Sequence, residues 1–251
     1  MTTPNTAQNV AQNVAIVTGG STGIGWEICR QMLDAGYEVV SLARRRPPQS
    51  HDKLHAVDVD LMDAAATGQA AADVASRFAV THVVHNAGVV RPALLPDVAL
   101  DDLQALSQLH LGAAIALVQA ALPAMKKNQF GRIVLMSSRG ALGLATRTAY
   151  AATKAGMVGM ARTWALELAG DGITVNVVAP GPISDTEMFR SIVPENSERE
   201  KALAAAIPMK RLGQSDDVAR AVMFFCDPAN GFVTGQTLYV CGGASLGMIV
   251  I

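Results

Sequence analysis

Val14-Ala15-Ile16-Val17 runs directly into Thr18-Gly19-Gly20-Ser21-Thr22-Gly23-Ile24-Gly25, and residues 24–35 then read as a helix closed by Gly36. A short β-branched run without polar alternation reads as a strand buried on both faces, as in a parallel sheet. Glycines between such a strand and a helix have a physical use. Without side chains at Gly19, Gly23 and Gly25 the backbone turns sharply and can approach a pyrophosphate, with Ser21, Thr22 and Ile24 completing the turn. The helix N-terminus adds unpaired N–H groups and a favourable dipole.

Outward from this turn the pattern repeats. Residues 38–42, 54–57, 82–85, 132–136, 174–178 and 237–240 read as strands, and 64–78, 100–127, 150–169 and 216–226 as helical stretches. Repeated βα units predict an α/β, doubly wound Rossmann-like fold. No Pro/Ser-rich linker and no internal repeat divides the chain, so one domain is expected over 14–251, behind a flexible polar tail at 1–13. The least regular stretch contains Pro180, Pro182, Pro194 and Pro208, and predicts a lid-like segment near 184–210.

Composition removes several function classes. The chain has 251 residues and a formal net charge of −1, with 16% charged residues, and so lacks the basic field of a nucleic-acid binder. Cys29, Cys226 and Cys241 are scattered and form no CxxC pair, which argues against a disulfide framework and a metal site. The start of the chain has neither the basic residues nor the apolar stretch of a secretory signal. No uninterrupted apolar run reaches the roughly 20 residues that span a bilayer. A cytoplasmic protein without a membrane partner is expected.

The end of the second strand bears on the cofactor. A carboxylate there would bind a ribose 2′-hydroxyl and repel a 2′-phosphate, but here Ala43 is followed by Arg44, Arg45 and Arg46. Guanidinium groups suit a phosphate, so NADP(H) is expected in preference to NAD(H), with Arg44 the first contact. Asp58 and Val59, after the third strand, are candidates for the adenine edge.

Tyr150 and Lys154 lie four residues apart, on one face of a helix. A nearby ammonium favours phenolate and is expected to lower the tyrosine pKa from about 10. Tyr150 is then a candidate acid/base toward a carbonyl or alcohol. Ser138, twelve residues earlier at a strand end, is placed to hold the substrate oxygen, with Ser137 the alternative.

Together, TGGSTGIG at 18–25, HNAG at 85–88, the Ser138, Tyr150 and Lys154 set, PGPI at 180–183 and RLGQSDDVA…TGQTLYVCGG at 211–243 resemble the short-chain dehydrogenase/reductase family over essentially the whole chain. The resemblance implies a seven-stranded parallel sheet. It implies Ser138 as the positioner of the substrate oxygen, Tyr150 as the acid/base, and Lys154 as the residue that holds the nicotinamide ribose and tunes the tyrosine. By the same likeness Asn86, Ala87 and Gly88 line the cofactor site, with Pro180, Gly181 and Ile183 near the nicotinamide. Thr186 stands near the family's phosphate or amide contact, displaced by Ser184 and Asp185. His110 falls where the family usually carries an asparagine that helps to hold a relay water. It is a candidate catalytic residue there, or a hydrogen-bonded core histidine.

The implied activity is interconversion of a ketone and a secondary alcohol by hydride transfer, on a small-molecule substrate. Within it stands the narrower reading of a 3-oxoacyl-thioester reductase. Nucleotide-sugar epimerase chemistry and a catalytically idle nucleotide-binding regulator are the competing classes. Arg139 and Arg147 are either attractors of an anionic substrate or solvated surface groups. Met188, Phe189, Ile192 and Val193 are either the apolar side of the lid or its packing. Small residues at Ala155, Gly156 and Gly159, and the apolar residues 248–251, fit the homotetramers or dimers of the resembled family.

Overall fold

The computed structural model describes residues 13–246. Most of the expected tail at 1–13, and the apolar stretch at 248–251, therefore lie outside the described residues. The strands are β1 (Val14–Thr18), β2 (Glu38–Ala43), β3 (Leu54–Asp58), β4 (His82–His85), β5 (Gly131–Met136), β6 (Ile173–Pro180) and β7 (Thr237–Val240). All pair in parallel, in the order β3-β2-β1-β4-β5-β6-β7. This is the doubly wound sheet that the alternating pattern predicts. The order reverses between β1 and β4, and ligands of such sheets bind beyond the strand ends at that crevice.

Helices cover both faces. The long helices are α1 (Gly23–Asp34), α2 (Ala64–Arg77), α3 (Leu100–Ser107), α4 (Ala113–Asn128) and α5 (Thr148–Leu168). After β6 come α6 (Glu187–Arg190), α7 (Glu198–Ala206) and α8 (Ser215–Cys226). One face buries Ala70 and Val74 of α2, Leu117 and Met125 of α4, and Met157 and Ala161 of α5 against Ile16, Val83, Ile133 and Val175. The other buries Ile28 and Met32 of α1 and Val218, Val222 and Phe225 of α8 against Val17, Val39, Val84 and Val134. Central strands β1, β4, β5 and β6 are buried along their whole length, which is why they lack polar alternation. The edge strands β3 and β7 are not.

Two features depart from the sequence pattern. The helical region at 100–127 is not one α-helix, because Gln108–Gly112 widens into a π turn between α3 and α4. By length and composition alone, Leu100–Asn128 is apolar enough to cross a membrane, with a mean hydropathy of 1.5. Its apolar face is occupied here: Leu106, Leu109, Ala113, Leu117 and Met125 are buried in the protein. The second departure is in the stretch expected to be irregular, which contains α6 and α7. Thr186 caps α6 through the Phe189 N–H, and Ser197 caps α7 through the Glu200 N–H. Neither helix has an apolar stripe, so periodicity gave no sign of them.

Leu117→Ala is expected to cost about 2–5 kcal/mol of unfolding free energy, since the side chain is wholly buried between α4 and the sheet. Urea denaturation measures this; a loss well under 1 kcal/mol would mean that the α4 interface is loosely packed.

Candidate active site

Thr18 ends β1, and its buried hydroxyl organises the switch point. Thr18 Oγ1 accepts hydrogen bonds from the Asn86 and Ala87 N–H groups, each at 2.9 Å, and lies 3.1 Å from His85 Nδ1. Asn86 Nδ2 donates to the Thr18 carbonyl (3.1 Å). The loop after β4 is thereby held on the glycine turn. Contact is close enough that a Cβ at Gly25 would collide with the Gly19 carbonyl and come within 2.6 Å of Asn86 Nδ2. Gly19 and Gly23 have φ of 65° and 50°, in the region that favours glycine.

This geometry suits a pyrophosphate. Thr22 caps α1 in extended conformation without a side-chain cap bond, and the first turn holds no acidic residue. The helix N–H groups and dipole are therefore free to meet an anion. Thr186 approaches from the other side: a Cβ at Gly23 would lie 3.2 Å from its Cγ2. The displaced threonine thus lies against the phosphate turn. Asp185, the residue before it, accepts from the Ser215 backbone N–H (2.9 Å) and its hydroxyl (3.0 Å) at the start of α8.

The three arginines after β2 separate. Arg45 pairs with Glu187 (2.7 Å), and Arg46 lies 3.8 Å from Asp58. Arg44 makes no ion pair among the described residues and is exposed. Val59 is buried beside Ala43, to whose carbonyl its N–H donates (3.1 Å). On the far side, Pro180 ends β6 and the Gly181 N–H donates to the Val240 carbonyl (2.9 Å). Any Cβ on Gly181 would press on Cys241 at 2.8 Å, and Ile183 is buried.

Ser138, Tyr150 and Lys154 converge at the end of β5. Ser138 Oγ accepts from the Gly140 N–H (3.0 Å), which fixes the serine over a short 3₁₀ turn at Arg139–Leu142. Its Oγ and the Tyr150 ring both border Gly140, each 3.2 Å from where a Cβ would stand there, and the serine favours the phenolate. Ser137 does something else: it is buried and donates to the Lys154 carbonyl (2.7 Å). Lys154 Nζ returns the connection, donating to the Met136 carbonyl (2.7 Å). The strand end and helix α5 are therefore pinned twice, and of the two serines Ser138 faces the tyrosine.

The electrostatics differ from the simple expectation of an ammonium lowering the tyrosine. Burial is the largest influence on Tyr150 and raises its pKa, with the Ser138 hydrogen bond and Arg147 acting the other way. Lys154 Nζ lies 5.8 Å from the Tyr150 ring centre, and burial lowers its own pKa to about 7. Desolvation dominates both groups because they lie on the buried face of α5.

His110 sits in the π turn, fully buried. Its Nδ1 lies 2.8 Å from Thr153 Oγ1, and its ring meets Tyr150 edge-on at 5.8 Å. A methyl at Gly88 would touch both His110 Nε2 (3.0 Å) and Lys154 Nζ (3.3 Å). Thr18, His85 and Thr153 were not singled out from the sequence. Each is a polar residue within or beside a quoted motif on an otherwise apolar element, and that was the available signal.

Around the site, Leu142 and Leu144 are exposed on the serine–tyrosine loop. Val193 is buried, which fits packing of the post-β6 segment, whereas Met188 and Ile192 are exposed. A hollow of about 190 Å³ is lined by Arg139, Pro182, Leu203, Ile207, Pro208 and Leu246, among others. Among the described residues no group of three or more His, Cys, Asp or Glu side chains is arranged to hold a metal.

The family model described as enoyl-(acyl carrier protein) reductase matches residues 19–245. The chain is 35% identical over 247 residues to the BbsD subunit of (2S)-[(R)-hydroxy(phenyl)methyl]succinyl-CoA dehydrogenase from Thauera aromatica, covering 94% of this chain and 98% of that one. It is 34% identical to 3-oxoacyl-[acyl-carrier-protein] reductase from Salmonella typhimurium, covering 92% and 96%. Among solved structures it is similar to a blue fluorescent protein from a metagenomic library in complex with NADPH, with a TM-score of 0.81 and 34% identity, covering 94% and 99%.

Gly25→Ala forces the turn away from Asn86 and the Gly19 carbonyl. It is expected to cost about 1–3 kcal/mol of stability and to weaken NADPH binding in a fluorescence titration. Unchanged NADPH affinity would separate this turn from the cofactor site.

Proposed function

Because the chain belongs to the short-chain dehydrogenase/reductase family, we propose that it is an NADP(H)-dependent oxidoreductase that interconverts a ketone and a secondary alcohol. One observation carries the reading: Ser138 Oγ and the Tyr150 ring meet at Gly140, with Lys154 one turn along the same helix, beside a glycine turn free to take a pyrophosphate.

The nicotinamide, when bound, supplies or accepts the hydride. The rest falls to the protein. Gly19, Ser21, Thr22, Gly23, Ile24 and Gly25 hold the pyrophosphate on the α1 N-terminus. Arg44 takes the 2′-phosphate, since Arg45 and Arg46 already have carboxylate partners. Asp58 and Val59 border the adenine, and Asn86, Ala87 and Gly88 floor the cofactor cleft. Pro180, Gly181 and Ile183 bound the nicotinamide end, and Thr186 borders the phosphates from its place against Gly23. Ser138 orients the substrate oxygen. Tyr150 donates its proton to that oxygen in reduction and removes it in oxidation. Lys154 holds the ribose and keeps a positive charge near the phenolate.

A narrower reading, reduction of a 3-oxoacyl thioester, is favoured by one feature of the substrate side. Arg139 shares the lining of the hollow with the apolar Leu203, Ile207 and Leu246. That combination suits an acyl chain next to an anionic carrier. Exposed Leu166, Phe224, Phe232 and Leu238 support self-association into a dimer or tetramer; a monomer mass by light scattering would remove it.

NADPH oxidation across a panel of free ketones and 3-oxoacyl thioesters tests the reading, and no turnover on either would overturn it. Tyr150→Phe is expected to lower kcat by about 10²–10⁴-fold with NADPH binding retained. Arg44→Ala is expected to weaken NADPH by about 10- to 100-fold while leaving NADH nearly unchanged. Equal losses for both cofactors would assign the 2′-phosphate contact elsewhere.

A further inference from the structure

Arg147 lies three residues before Tyr150, where the serine–tyrosine loop enters α5. Its carbonyl accepts from the Ala151 N–H (2.7 Å), so the arginine already belongs to the first turn of that helix. Residues three apart on a helix are neighbours. The guanidinium charge reaches Tyr150, where it favours the phenolate. Arg139, at the other end of the loop, is engaged elsewhere: its Nη1 donates to the Ala244 carbonyl (3.4 Å), at the hollow that Arg139 lines.

What Arg147 lacks is a carboxylate. The residue is half-buried, and its hydrogen bonds among the described residues all run from Nη1 to the neighbouring Thr146, at 2.6 Å to Oγ1 and 3.3 Å to the carbonyl. Nε and Nη2, the pair of donors that can take a carboxylate side-on, have no partner among the described residues. A guanidinium is always charged, and withdrawing a charge from water without a counter-ion is unfavourable. Arg91, on the loop after β4, shows the usual solution: Asp102 meets it at 2.6 Å.

The surrounding backbone holds Arg147 in this state. Thr146 has a φ of 66°, in the left-handed region that a β-branched residue seldom enters. The Ala93 N–H donates to the Thr146 carbonyl (3.0 Å), and Ala93 and Arg147 form a bridge between the loop after β4 and the serine–tyrosine loop. With Nη1 engaged by Thr146, the opposite edge of the fork is left to solvent or to a ligand. Strained residues held by their surroundings gather at ligand clamps.

We propose that Arg147 is a specificity-determining residue: it binds a carboxylate on the substrate, next to the carbonyl that Ser138 and Tyr150 receive, so that the substrate class is a small oxo acid and the corresponding hydroxy acid. The inference rests on the reading of the site as one for ketones and secondary alcohols. It departs from the thioester form of that reading, in which the carboxyl group is esterified and uncharged. In reduction, hydride is added to the carbonyl carbon, the carbonyl oxygen takes the Tyr150 proton, and the carboxylate is unchanged. Binding the carboxylate also offsets the guanidinium charge that favours the phenolate, so Tyr150 keeps its proton until the carbonyl oxygen takes it.

The substrate charge can be removed without touching the ketone by comparing 3-oxobutanoate with methyl 3-oxobutanoate, and with S-(3-oxobutanoyl)-N-acetylcysteamine as the thioester. In NADPH oxidation kcat/KM is expected to be about 10- to 100-fold higher for the acid than for either neutral compound, chiefly through KM. Arg147→Gln should abolish this preference, and Arg147→Lys, which returns the charge without the fork, should recover part of it. The preference compares two substrates on one protein, so any general loss through Tyr150 cancels. Arg139→Gln should leave it in place. A wild type that favours the ester or thioester, or a preference that survives Arg147→Gln or is lost in Arg139→Gln, would overturn the proposal.

Butanoate, which has the carboxylate but no ketone, separates this site from the proposed activity. Calorimetry on the full-length protein with NADPH bound should show butanoate binding more tightly than butanamide, with the difference lost in Arg147→Gln. If butanoate and butanamide bind alike, the Arg147 site is refuted. If the difference is found but no ketone is reduced, the carboxylate site stands and it is the proposed activity that fails.

Discussion

The constraint on which the site depends is the buried hydroxyl of Thr18. A threonine oxygen has one proton and two lone pairs, and here all three are committed. It accepts from Asn86 and Ala87, and so must donate to His85 Nδ1. His85 then carries its proton on Nε2 and donates it to the Leu109 carbonyl at the π turn (3.0 Å). A polar chain thus runs from the glycine turn through β4 to the helix that bears His110. Buried in low dielectric, such a chain is rigid because breaking any one link orphans a group. That rigidity keeps the glycine turn, the Asn86 loop and the π turn in fixed relation at the point where the strand order reverses.

Two histidines beside the site each stand next to a threonine. His85 is an Nε2–H imidazole because Thr18 must donate to it, and it offers a donor to backbone, which steadies the widened helix. His110 Nδ1 lies 2.8 Å from Thr153 Oγ1, and its Nε2 borders Gly88 beside Lys154. Burial keeps both neutral.

Much of this was legible in the residues before any coordinates. The strand–turn–helix at 14–35 and the recurring βα pattern predict the sheet, and the long helical stretches fall within a few residues of their positions. Close contact at Gly25 is what its place in the turn requires. What was hidden is of three kinds. Helices α6 and α7 have caps but no apolar stripe, so a reading by periodicity passes over them. The π turn is a local widening that leaves the composition of 100–127 unchanged. Serine identity and tyrosine charge depend on three-dimensional facts: Ser137 and Ser138 are chemically alike, and only the path of the chain just beyond β5 brings one to the Lys154 carbonyl and the other beside Tyr150.

The tyrosine–lysine pair shows why a one-dimensional reading of charge is incomplete. Four residues of helix place the ammonium near the ring, and Coulomb attraction alone would then favour phenolate and ammonium together. The fold also removes both from water, which favours the neutral forms of both and raises one pKa while lowering the other. The balance therefore belongs to the fixed dipoles around them rather than to the pair. Ser138 and Arg147 favour the phenolate, and the Met136 carbonyl favours the ammonium. A dry site of this kind strengthens every such contact, so small changes in the surrounding donors and acceptors move the working charge state more than a change in distance between the two reacting side chains would.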